Sequence, residues 1–441
     1  MKLSLSLAAA ALLLAAPASA DALFRNVRVF DGQSPTLSAP TDVLVRGNRI
    51  EAIGAKLSAP GVPVIEGRGR TLMPGLIDAH VHLTFGALSN ADLVSPDLTP
   101  AKAEMAAAAS ARAMLLRGFT AVRDMGGPIF GPKAGIDAGK YEGPRVWPSG
   151  AVISQTSGHG DFRQPQERSR RFFGKPAQAE LLGATFIADG RDEVLTATRE
   201  NLRFGASQIK LMAGGGSSSE YDPIDVTQYL PEELSAAVAA AEDWGTYVTV
   251  HAYTPRAVRR AVEAGVKCIE HGQLLDDDTI RLLADKGVWL SLQNLPPPLA
   301  SDSAERKAKK AEVAEGSAKA WAAAKKYHVK LAWGTDFLFR PEENKLQNGF
   351  LLKLTNLFTP AEILKLATHD NAQLLAMSGL RSPYQGKLGV VEQGALADLI
   401  LVNGDPIANL NLVADPDRNF DVIMKDGKIY KGGIGTGGAA K

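Results

Sequence analysis

Six residues spread through the middle of the chain carry donor atoms suited to divalent cations: His80, His82, Lys210, His251, His271 and Asp336. In Asp78-Ala79-His80-Val81-His82 the histidines are two apart within an apolar run. On a strand both imidazoles then point to one side and can hold one ion together. A lone strand histidine is usually a satisfied core residue, but two at this spacing each need a polar partner. His251 and His271 end two successive apolar runs, 247–251 and 268–271. Either alone would serve as a loop cap; together they suit a second ion. Asp336, in Trp333-Gly334-Thr335-Asp336, reads as a helix cap or as a carboxylate facing His80 and His82 across a closed barrel.

Lys210 interrupts Gln208-Ile209-Lys210-Leu211-Met212, a costly place for a cation. It can snorkel or pair at the strand end. Alternatively its neutral amine takes up carbon dioxide and becomes N6-carboxylysine, an anion whose two oxygens bridge two metals. Beside the other donors the carbamate is the preferred reading, and Gly214-Gly215-Gly216 leaves room above it. The chemistry of such a set is hydrolysis. Two divalent ions ~3.5–4 Å apart, expected to be zinc, turn a bridging water into hydroxide and polarise the carbonyl under attack. Asp336 is then the catalytic proton carrier. His159, between glycines in Gly158-His159-Gly160, is a candidate donor to the substrate or else orders its loop.

These residues sit at strand ends. Between 73 and 380, strand-like runs at 76–82, 119–123, 146–153, 207–212, 247–251, 268–271, 288–292 and 330–333 alternate with helical stretches. The helices are predicted at 100–117, 192–204, 231–244, 254–264, 276–286, 303–327 and 359–377. Eight strands at this spacing predict a metal-binding (β/α)8 TIM-like barrel, whose C-terminal face gathers the strand ends. A Gly-rich nucleotide turn after the first strand would favour an open sheet; His-x-His stands there instead. Residues 21–72 and 381–434 alternate apolar and polar residues between tight turns such as Asn403-Gly404 and Asp426-Gly427. Neither segment is long enough to stand alone, so the two are expected to pair as one small β-sandwich into which the barrel is inserted. Residues 435–441 read as a flexible tail. Long connections at 155–191 and 213–230 are expected to carry substrate contacts.

The charge is balanced, at formal net +1, which gives no footprint for nucleic acid or an anionic membrane. Lys2, an apolar stretch to Ala16 and Ala18-Ser19-Ala20 predict a secretory signal peptide over 1–20, cleaved after Ala20. The mature chain is therefore expected to be periplasmic or secreted, with no membrane anchor left. The single cysteine, Cys268, excludes an intrachain disulfide.

The motif 73–82, Met-Pro-Gly-Leu-Ile-Asp-Ala-His-Val-His, and the closing Gly-Ala-Leu-Ala-Asp-Leu-Ile at 394–400 resemble the amidohydrolase superfamily. Lys210, the segment 156–161 and Thr335-Asp336 make the chain similar to its binuclear branch of Xaa-Pro dipeptidases, carboxypeptidase-like dipeptidases and ochratoxin-hydrolysing enzymes. That resemblance implies one ion on His80, His82 and Asp336, a second on His251 and His271, and carboxylated Lys210 between them. It implies that Tyr221 contacts the substrate's free carboxylate, and it leads us to expect a homo-oligomer. The expected substrates are small dipeptides or N-acyl amino acids, cleaved at the amide C–N bond, with ochratoxin A as a test case. Arg163 and its basic neighbours are expected to help Tyr221 hold the carboxylate, and Phe162, Phe337, Leu338 and Phe339 to favour an apolar group. The same centre would equally serve lactone, cyclic-amide or phosphotriester hydrolysis. A periplasmic protein that binds without turnover is the reading outside enzymes.

Overall fold

The computed structural model describes residues 21–432 other than 94, 96, 220, 295, 296 and 301. The signal peptide and the 435–441 tail lie outside the described residues. The N-terminal strands are β1 (Ala22–Val29), β2 (Thr41–Arg46), β3 (Arg49–Gly54), β4 (Val64–Glu66) and β5 (Thr71–Pro74). The barrel follows with β6 (Leu76–Val81), β7 (Phe119–Asp124), β8 (Arg145–Pro148), β9 (Val152–Ser154), β10 (Thr185–Ile187), β11 (Ile209–Met212), β12 (Val248–Ala252), β13 (Cys268–His271), β14 (Trp289–Gln293) and β15 (Lys330–Gly334). The chain closes with β16 (Leu399–Val402), β17 (Phe420–Lys425) and β18 (Lys428–Lys431).

Both chain ends build one eight-stranded sheet in the order β18-β17-β16-β5-β1-β2-β3, with β4 beside β1. Its seam is the antiparallel pairing of β5 with β16, where Leu72 stands opposite Leu401. Alternate residues from the two ends, among them Phe24, Val45, Leu72, Leu399 and Val422, fill a common apolar core. The barrel strands run parallel, as β6-β7-β8 and as β10-β9-β11-β12-β13-β14-β15. Closure brings β15 against β6, where the Asp336 N–H donates to the His80 carbonyl (2.8 Å). Gly334 makes that approach possible. A Cβ there would lie 2.5 Å from the Cβ of His80 and 2.6 Å from its backbone nitrogen.

Two expectations need correction. The run 146–153 is not one strand; it breaks into β8 and β9 at Gly150, whose φ is +80°. Asn201 clamps the break, accepting from the Ala151 N–H (3.1 Å) and donating to the Ala151 carbonyl (2.8 Å). The connection 155–191 also contains a strand of its own, β10, paired with β9. A helix at Phe130–Asp137 was not anticipated either. No helix of the described residues is long and apolar enough to cross a membrane.

Candidate metal centre

His80 and His82 lie at the C-terminal end of β6 with relative exposures of 1% and 5%. The Nε2 atoms of both rings stand 3.3 Å from the same oxygen, Asp336 Oδ1. Donor atoms of the three residues lie within 4.8 Å of one another, the spacing of a set able to hold a metal ion. The other Asp336 oxygen is 4.0 Å from His271 Nε2. Asp336 itself has φ +53° and His271 has φ +80°. That left-handed backbone costs a non-glycine residue of order 1–3 kcal/mol and concentrates at functional sites. At His271 it has a use. Neighbours on a strand point to opposite faces, yet Glu270 and His271 both reach the barrel interior, because the backbone turns at His271.

Hydrogen bonds at the outer nitrogens orient the rings. His82 Nδ1 pairs with the Gly126 carbonyl (3.0 Å) and His80 Nδ1 with Glu270 Oε2 (2.8 Å). Each leaves Nε2 for the centre. His251 is reversed: its Nε2 pairs with the Gly215 carbonyl (3.0 Å), leaving Nδ1. The His251 and His271 rings are 4.3 Å apart between centroids, and His271 lies 5.2 Å from His80. Buried His271 Nδ1 has no hydrogen-bond partner among the described residues. Lys210, 1% exposed on β11, has neither a hydrogen bond nor an ion pair among the described residues.

Electrostatics agree with this geometry. Burial holds His251 and His271 well below the ordinary histidine range, so both rings are neutral, the form that ligates a metal. Burial opposes a charge on Asp336, but the imidazoles of His80, His82 and His271 prevail and keep its carboxyl well below the usual range. Burial pushes Lys210 down to about 8. Burial likewise lowers His82, whereas at His80 it is outweighed by Asp336 and Glu270, which raise it. Three imidazoles held low, a carboxylate, an orphaned ring nitrogen and an unpaired buried amine together fit a divalent-cation centre. His80, His82 and Asp336 form its compact part; His251, His271 and Lys210 adjoin it.

Above the centre the long loops converge. His159 is buried in the 155–191 connection; its ring stacks on His251 at 4.0 Å and its Nδ1 meets Ser219 Oγ at 2.7 Å. The glycines beneath allow this. A Cβ on Gly216 would sit 1.7 Å from His159 Nδ1. Buried Lys309, on the helix Ala304–Lys326, donates to the Asp222 carbonyl (2.8 Å) and ties that helix to the same loop. Tyr221 is 44% exposed and its hydroxyl donates to the Arg163 carbonyl (3.3 Å). The Arg163 guanidinium is turned onto Asp161 (Nε–Oδ1 2.7 Å).

The open cleft that reaches Asp336 runs between the 213–230 loop, at Ser217 and Ser218, and the helix Ala304–Lys326. Its wall holds Leu338 and Phe339 together with Arg306, Lys310 and Arg340, cations that sequence reading passed over on a helix and a loop. Of the expected apolar rim, Phe339 and Phe162 pack around Phe85, which stacks on His82 at 5.7 Å. Phe337 departs from expectation: it is 3% exposed and turns inward against Phe350. The buried pair Arg123 and Glu270 was also missed; a glutamate next to a strand histidine reads as facing the other way.

The amidohydrolase family model matches residues 71–430. Ochratoxinase from Aspergillus niger is 32% identical over 386 residues, covering 83% of this chain and 77% of that protein. A solved amidohydrolase superposes with a TM-score of 0.85 at 36% identity, covering 94% of this chain and 99% of that one. A prolidase complexed with N-methylphosphonate-L-proline gives a TM-score of 0.85 at 33% identity, covering 94% and 100%.

Proposed function

Because this chain belongs to the amidohydrolase family and is a hydrolase acting on carbon–nitrogen bonds, we propose that it cleaves the amide of small dipeptides and N-acyl amino acids. The observation that carries this reading is the buried cluster of His80, His82 and Asp336, adjoined by His251, His271 and an unpaired Lys210, with Asp336 facing an open cleft. Its likeness to ochratoxinase and to a prolidase that binds a proline phosphonate supports the choice of substrate.

Two divalent cations, taken to be zinc and held by His80, His82 and Asp336 and by His251 and His271 with carboxylated Lys210 between them, would supply an acidified water and polarise the carbonyl. The chain's own residues do the rest. Asp336 is ionised and lines the cleft, so it accepts the nucleophile's proton and returns it to the departing amine. His159 has Nδ1 committed to Ser219, which leaves Nε2 to meet the substrate. Tyr221 meets that carboxylate from the exposed loop, with Arg163 behind it. Phe85, Phe162 and Phe339 form the apolar seat.

Lys210 is suited to its modification. With a pKa of about 8, roughly a tenth of the amine is neutral at pH 7, against under about one in a thousand for an ordinary lysine. The test is a panel of Xaa-Pro dipeptides, N-acyl amino acids and ochratoxin A with zinc-loaded protein. Release of the free amino acid, lost on chelation and restored by zinc, is the expected result. Indifference to chelation, or turnover of lactones or phosphotriesters alone, would end this reading.

A further inference from the structure

Below the histidine cluster the barrel interior contains a full ion pair, Arg123 and Glu270, each side chain 0% exposed. Glu270 Oε1 accepts from Arg123 Nη2 (2.7 Å) and from Thr249 Oγ1 (2.6 Å), and Cys268 Sγ is 3.3 Å away. Its second oxygen is reserved for His80 Nδ1, at 2.8 Å. Arg123 is fixed in turn by donating from Nε to the Ala79 carbonyl (2.6 Å) and from Nη1 to Tyr247 Oη (3.1 Å). One guanidinium thus holds both the carboxylate and the peptide that precedes His80.

Stability does not account for this pair. A buried salt bridge recovers little more than the desolvation it costs, and well-packed apolar residues do as well or better. What apolar residues cannot do is fix an imidazole. Gln293 Nε2 also approaches His80 Nδ1, at 3.2 Å, but it is a donor already given to the Ser291 carbonyl (2.8 Å) and Oγ (3.0 Å). The carboxylate is therefore the acceptor that sets the tautomer.

We propose that Glu270 is a positioning residue for the metal centre. It holds the proton of His80 on Nδ1 and aims Nε2 at the point shared with His82 and Asp336, while Arg123 keeps the carboxylate in place. Carboxylates behind metal-binding histidines act in this way, and their loss typically weakens metal affinity 10–100-fold. The role rests on the metal-binding reading above.

The test measures zinc affinity of the full chain by chelator competition and records the visible spectrum of its cobalt-loaded form. Glu270→Gln is expected to weaken zinc binding about 10–100-fold and to alter the cobalt bands. Thr249→Val, which loses contacts to the other Glu270 oxygen and to the Cys268 carbonyl but none to His80, is expected to stay within about threefold of wild type, well short of that loss. Because Glu270→Gln strands a buried guanidinium, the double variant Arg123→Met/Glu270→Leu removes that charge and any acceptor together, and it is expected to fold and still bind zinc weakly. Wild-type affinity in the double variant, or in Glu270→Gln, would overturn the positioning role. Wild-type protein that takes up no zinc would overturn the metal reading as well.

Discussion

Asp336 concentrates more of the chemistry than any other side chain, since both its oxygens face imidazoles while its edge meets the cleft. Asp336→Asn keeps the shape but loses the proton acceptor, and kcat is expected to fall by about 10²–10⁴-fold while circular dichroism stays native. Near-normal kcat would remove the residue from proton transfer. Lys210 offers a pH-dependent test. With a pKa of about 8, its neutral fraction rises about tenfold between pH 6 and 7. At fixed dissolved carbon dioxide, recovery of activity in protein stripped of metal and carbamate should quicken by that factor over this interval, and Lys210→Ala should recover none. A flat rate would count against carbamate formation. The donor residues were legible in the sequence because His-x-His, a lysine inside an apolar run and an aspartate at a strand end are unusual residue types in buried places. Their supports were hidden. Glu270 adjoins His271 in sequence, and only the left-handed backbone at His271 puts both on the inner face.

At the scale of elements, the seven predicted helices agree with the structure to within a residue at either end, because their limits are written locally. Thr359 accepts from the Glu362 N–H and the Glu362 carboxylate accepts from the Thr359 N–H, a reciprocal cap visible as Thr-Pro-Ala-Glu. Elements set by packing were illegible. The helix Phe130–Asp137 contains Gly131, Pro132 and Gly135, so local propensity points away from it. β10 has three residues and exists through its ladder with β9. The seam between β15 and β6 gives the sharpest prediction here. Gly334→Ala places a methyl inside contact distance of the His80 backbone, and this overpacking should cost about 1–3 kcal/mol. It should also move Asp336 from the histidines, so zinc content falls together with the denaturation midpoint. Unchanged zinc content would show that the seam tolerates displacement.

Over the whole molecule, the terminal sheet is latched to the barrel by Arg145. Its Nε donates to Asp398 Oδ2 (3.0 Å) and its Nη2 to Asp426 Oδ1 (2.6 Å), and the side-chain exposures are 6% for Arg145, 1% for Asp398 and 46% for Asp426. Asp398 belongs to the 394–400 motif, which thereby acquires a mechanical purpose. Asp398→Ala strips a buried cation of its enclosed partner and should cost about 3 kcal/mol; Asp426→Ala, losing a half-exposed partner, should cost under about 1 kcal/mol. Equal losses in denaturant titrations would refute the latch. The sequence announced that both ends share a sheet, through their matching alternation, but not which strands meet. That meeting has a temporal consequence. Since β5 pairs with β16, a nascent chain leaves the ribosome with the edge of β5 bare until more than three hundred further residues have been translated. Such late partnering slows folding and leaves an open strand edge prone to clumping meanwhile, so chains truncated before β16 should accumulate as aggregates rather than as soluble barrels.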